Sequence, residues 1–186
     1  MKRNSRVLTF VLSGLVAAAA LTPLRPAAAA SAEEIRRNSA AALESLYAKE
    51  TAAKLLGEKA TAVLVFPSIV KGGFMVGGQL GEGSLWKKGK VVGYYASAAA
   101  SYGLQAGIQT FGYALFFMND EALKQLDNTR GFELGIGPSI VVVDAGVAKS
   151  MTTNTLTDDI YAFIFSQKGL MAGIGIQGSK ITKVNK

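Results

Sequence analysis

Apolar positions follow two different periods along this chain. From Ser31 to Gly57, Ile35, Ala42, Leu43, Leu46, Tyr47 and Ala53 recur at steps of three to four, which predicts one amphipathic helix over 31–57. Ser31 and Glu34 form a capping-box pair at its start, and Gly57 suits the position just past its end. The polar face mixes Glu33, Glu34, Glu44 and Glu50 with Arg36, Arg37, Lys49 and Lys54. Such a mixture suits a helix packed on its own sheet better than a membrane-surface helix, whose polar face is rich in Lys and Arg.

From residue 61 to 186 the period is that of strands. Val63 to Phe66 is an apolar run stopped by Pro67, and Phe74-Met75-Val76 is a second run. They read as two strands joined by a tight connection at Lys71-Gly72-Gly73, with Lys71 its one cation. Leu85 to Val92 holds a hairpin-type turn, Trp86-Lys87-Lys88-Gly89-Lys90, followed by long β-forming runs over Val91–Ala100 and Tyr102–Phe117. Asn119 is an N-cap for a short helix carrying Ala122, Leu123 and Leu126. Further strands are expected over Phe132–Gly137, Ser139–Val143, Ile160–Phe165, Leu170–Gln177 and Ser179–Val184, with a loop from Ser150 to Asp159.

Glycines recur on single strand faces: Gly103 with Gly107, Gly135 with Gly137, and Gly173 with Gly175. Gly weakens a strand interior, so its repeated use implies curvature, bulges or close backbone approach. The expected fold class is α+β: a curved, mostly antiparallel sheet, barrel-like at strong curvature, packed with the N-terminal helix and one short internal helix. Phe111, Phe116, Phe117, Phe163 and Phe165 fit a core, or the lining of an acyl-chain cavity.

Composition narrows the chemistry. Residues 1–30 read as a secretory signal: Lys2, Arg3 and Arg6, then the apolar stretch Val7–Leu21, then Ala28-Ala29-Ala30 as a cleavage site before Ser31. The apolar stretch is shorter than the roughly 20 residues of a spanning helix, and no Cys follows for lipid attachment. The expected location is the periplasm or envelope. Without Lys2, Arg3, Arg6 and Arg25, sixteen basic residues face thirteen acidic ones, a balance of +3 that permits contact with anionic lipid and argues little for nucleic acid. The chain has neither Cys nor His, which removes thiol nucleophiles, His general bases and most zinc sites. Residues 31–186 fit a single domain with a real core.

Three patterns invite sharper readings. Ser68-Ile69-Val70-Lys71 matches S-x-x-K, yet Gly72-Gly73 and a strand follow where that motif opens a helix. Gly173 to Gly178 matches G-x-G-x-x-G, yet only eight residues follow, too few for a dinucleotide fold. Asp144, Asp158 and Asp159 with Thr152, Thr153, Thr155 and Thr157 could offer oxygen ligands, but their spacing is not that of an EF-hand. A solvated loop explains them better.

The remaining cluster is Lys71, Trp86, Lys87, Lys88 and Lys90. Lysines beside an indole suit an anionic headgroup, and equally a solubilising hairpin tip. The block Val63 to Trp86, then Ser101-Tyr102-Gly103-Leu104-Gln105-Ala106-Gly107, then Leu115 to Leu123, Gly169-Leu170-Met171-Ala172-Gly173 and Gly178-Ser179 together resemble the SYLF domain family. That resemblance implies lipid binding, with Lys71 and the neighbouring Gly72, Gly73, Gly77 and Gly78 as the matching positions. Some yeast members also bind actin. Two departures are noted: no SH3 domain is expected here, and Asp144 to Lys149 stands where eukaryotic members carry Gly-Pro-x-Gly-Arg, with Lys149 in place of the arginine. An exported bacterial protein meets no actin. The combined expectation is a non-enzymatic envelope protein without cofactor or metal that binds anionic phospholipid through Lys71, Trp86, Lys87, Lys88 and Lys90. The N-terminal helix is a second membrane candidate, and a structural or protein-interaction module of the envelope is the alternative.

Overall fold

The computed structural model describes residues 30–127, 131–143, 148, 151, 156–169, 176 and 178–186, with the backbone alone for 74, 75 and 101–106. Helix α1 spans Ala32–Lys49, and Ser31 caps it by accepting from the Glu34 N–H at 3.2 Å. The helical stretch does not run unbroken to Gly57. Glu50 is extended (φ −122°, ψ 99°), and α2 begins anew at Thr51 and continues to Lys59. The break turns the chain so that Leu46 of α1 and Ala53 and Leu56 of α2 all bury against one sheet face. Gly57 lies inside α2, where a Cβ would collide with the Tyr47 hydroxyl; it makes room for that ring and does not end the helix.

The body is organised by one very long hairpin. Strand β1 spans Ala62–Lys87 (26 residues) and β2 spans Lys90–Phe117 (28 residues), paired antiparallel from Ala62↔Phe117 to Lys87↔Lys90. At its tip Lys88 (φ 50°) and Gly89 (φ 74°) form the two-residue turn that matches strand twist. The expected connection at Lys71-Gly72-Gly73 is absent, because strand pairing runs straight through it. The bend falls just beyond, where Gly73 and Gly77 pack against each other and the register slips between Phe74 and Val76. There the hairpin doubles back. A Cβ at Gly83 would strike the carbonyl oxygen of Val65, so the two arms of β1 meet backbone to backbone. Across the same fold the Tyr113 hydroxyl donates to Ser97 Oγ at 2.7 Å, and burial pushes that phenol's pKa up.

The chain then forms α3 (Asp120–Lys124), capped by Asn119 Oδ1 accepting from the Ala122 N–H at 2.8 Å, and a 3₁₀ turn at Gln125–Asp127. Among the described residues, strands β3 (Phe132–Glu133), β4 (Ile140–Val142), β5 (Ile160–Gly169) and β6 (Lys180–Val184) complete a six-stranded sheet. Its order is β3-β6-β2-β5-β4, with β1 on β2. Because β2 is so long, β6 pairs with its first arm and β5 with its second. β4 runs parallel to β5, so this curled sheet is mixed. The strand expected to Gly137 stops at Glu133, and Gly135 (φ 99°) and Gly137 (φ 98°) serve a turn. The Leu170–Gln177 strand, Gly173 and Gly175, and Asp144, Lys149, Thr152, Thr153 and Thr155 lie outside the described residues, Ile176 apart.

The apolar runs are continuous because the first arm of β1 and the second of β2 are covered on both faces. Leu64, Phe66, Leu115, Phe117 and Ile160 fill the inside of the curl with Phe132 and Ile181. Val63, Val65, Ala114, Phe116 and Phe163 meet the helices on the outside. Phe111, Phe116, Phe117 and Phe163 are thus buried core, with Phe165 partly buried beside them.

Candidate functional site

The hairpin tip collects four of the five residues singled out in the sequence, but on unequal terms. Trp86 is half-buried: its indole N–H donates to Ser84 Oγ at 2.9 Å and its ring packs on the core beneath the helices. Lys87 Nζ sits 3.7 Å from Asp120 Oδ1, a solvent-facing pair of little energetic weight. Lys88 and Lys90 are exposed. Because the hairpin is folded double, this tip lies beside the start of β1, and Trp86 and Lys88 share a cleft of about 340 Å³ with Leu43, Tyr47 and Thr61.

Lys71 does not join them. It lies within β1 opposite Gln109, only 7% exposed, at the bend end of the hairpin. The tip sits by residues 61–63, so some eight residues of strand, roughly 26 Å, separate the two. Ser68 faces solvent while Lys71 faces inward, so this lysine is not placed to activate that hydroxyl. The glycines beside it shape the bend.

The bend end inverts the usual polarity. Among the described side chains, those inside it include Lys71, Gln79 and Gln109, all at least 93% buried, with Ile69 beside them; the Gln79 amide donates to Ser179 Oγ at 2.6 Å. Outside it are Val70 (51% exposed), Val76 (60%), Leu80 (67%) and Ile108 (71%). Across residues 68–81 and 98–110 the sequence holds one charge, the inward Lys71. Two cations flank this apolar exterior: Lys168 of β5, paired with Thr110, and Lys180 of β6, paired with Ala98. Sequence reasoning missed this surface. Its signal was a phase relation, Val70 beside Lys71 and Ile108 beside Gln109, which becomes legible only once the inward face is known.

Asp158 and Asp159 close the loop before β5. Asp159 accepts from Asn119 Nδ2 (2.7 Å), the Ser139 N–H (3.0 Å) and Ser139 Oγ (3.1 Å), tying the α3 cap to the start of β4. These bonds, that from Asn119 foremost, hold its carboxyl below the usual carboxylate range. Thr157 is exposed. Among the described residues no group of three His, Cys, Asp or Glu is gathered to hold a metal ion.

Compared with known families, residues 98–186 match the Ysc84 model, described as Las17-binding protein actin regulator, the family of the SYLF domain. That span is similar to a SYLF domain. The matched span begins inside β2 and takes in β5, β6 and both flanking lysines; β1, which supplies Val70, Val76 and Leu80, precedes it. No curated protein matches the chain. No helix among the described residues is long and apolar enough to cross a membrane, which leaves membrane contact through strands unaddressed.

Proposed function

We propose that this chain is an exported, non-enzymatic protein of the periplasm or envelope that binds anionic phospholipid, and that the bend end of its hairpin is the lipid-facing surface. The family match suggests a lipid-binding or actin-related module, and the leader-like residues 1–30 favour the lipid branch of that pair. The observation that carries the choice of surface is the inverted polarity of the bend. Apolar side chains outside and polar ones inside is the arrangement of strands that face lipid, where outward residues meet hydrocarbon. Val70, Val76, Leu80 and Ile108 would enter the bilayer interface while Lys168 and Lys180 meet headgroups, each lysine near an anionic surface contributing about 1 kcal/mol. The N-terminal helices have no comparable face to offer, since Ile35, Leu46, Ala53 and Leu56 are spent on the sheet.

Flotation with phosphatidylcholine vesicles, with and without phosphatidylglycerol, tests this reading. The protein should float with anionic vesicles and lose most of that binding in Leu80→Asp/Ile108→Asp. Replacing Lys87, Lys88 and Lys90 with Glu should leave it largely intact. Loss in the lysine variant alone would move the site to the hairpin tip. No flotation of the parent protein would favour a protein-interaction module of the envelope.

A further inference from the structure

The alanine run before the domain offers two equivalent cleavage frames, Ala27-Ala28-Ala29 and Ala28-Ala29-Ala30, and small residues alone do not choose between them. The fold treats Ala30 unlike a residue about to be discarded. Its N–H donates to Glu82 Oε2 at 3.2 Å, and its carbonyl accepts from Lys186 Nζ at 2.9 Å. The two side chains are themselves joined, Lys186 Nζ to Glu82 Oε1 at 2.7 Å, and both are largely shielded, at 12% and 27% exposure. The other three described ion pairs all leave at least 41% of each side chain open to water. The Ala30 methyl also helps to line an apolar groove with Ile35, Pro67, Val70 and Leu80.

We infer that the leader is cut between Ala29 and Ala30, and that Glu82 and Lys186 form a receptor for the new chain start. This rests on the export reading above. A host peptidase would hydrolyse the bond: the water oxygen ends on the Ala29 carboxylate, and both of its protons pass to Ala30 nitrogen, which becomes an ammonium. That ammonium arises beside a carboxylate oxygen already in hydrogen-bonding range, converting a neutral bond into a charge-assisted one. Cutting one residue later would remove Ala30 and leave both side chains without the main-chain groups they hold.

The test is to secrete the full chain from a bacterial host and determine the mature protein's intact mass and N-terminal sequence. A start at Ala30 is expected. A start at Ser31 overturns the inference while leaving export intact; a full-length product overturns the export reading itself. On the mature protein, an amine-reactive reagent at pH 8 should label the α-amino group several-fold faster in Glu82→Gln than in the parent, since the lost carboxylate no longer favours the unreactive ammonium. Equal labelling in the two folded proteins would show that Glu82 does not hold the ammonium.

Discussion

Single atoms decide the fold at two places. Gly83 has no room for a side chain because the Val65 carbonyl lies where a Cβ would go. Gly83→Ala should therefore cost about 2–3 kcal/mol in urea unfolding, through forced separation of the β1 arms. Gly78→Ala, whose Cβ would meet only the Ala99 carbonyl at 3.5 Å, should stay within about 0.5 kcal/mol of the parent. Equal costs would mean that the arms do not meet at Gly83. Asp159 works by charge. Its folded carboxyl has a depressed pKa, so its contribution is complete above the ordinary carboxylate value and fades as pH falls through the folded one. Thermal melts of Asp159→Ala should lie below the parent at pH 7, with the gap closing below about pH 4. A gap that persists at low pH would mean that the carboxylate is not what holds Asn119 and Ser139.

At the scale of elements, the helices owe their place to the sheet. Leu56 is fully buried under α2, so Leu56→Ala should destabilise by about 2–4 kcal/mol, where a helix hanging free would lose almost nothing. Local chemistry made several elements legible in advance. Trp86 to Lys90 marks a hairpin turn, Asn119 a cap and Ser31 a helix start, and the structure has all three. What stayed hidden depends on distant partners. Nothing in Lys49-Glu50-Thr51 announces a helix break; the sheet face shared by Leu46 and Leu56 imposes it. Pro67 and Gly72-Gly73 looked like a strand end and a turn, but pairing with β2 carries the strand past both and the bend forms at Gly73–Gly77. The lysine cluster was half legible for the same reason. Adjacency in sequence brought Lys87, Lys88 and Lys90 to one tip, whereas the place of Lys71 depended on where the hairpin folds.

Taken whole, the molecule is polarised along its doubled hairpin, with Lys87, Lys88 and Lys90 at one end and the apolar exterior of the bend at the other. A bilayer lying flat against the bend leaves Lys88 and Lys90 roughly 26 Å away, beyond the roughly 8–10 Å screening length of physiological salt. The two ends would then answer to different surroundings, and the tip lysines would be free for a second partner.

The inverted bend also bears on how the hairpin finds its register. In most sheets a one-residue slip is punished because it turns the apolar set toward water. Here a slip confined to the bend would bring Val70 and Leu80 inward and release Lys71 and Gln79 to solvent, an exchange that the hydrophobic effect favours. In water the bend therefore pulls against the register that Val63–Phe66 and the Lys88-Gly89 turn impose, and the irregularities at Phe66/Ile69 and Phe74/Val76 separate the two demands. This is local frustration, confined to one end of a single pair of strands. A lipid surface would relieve it by giving the outward side chains the solvent they lack.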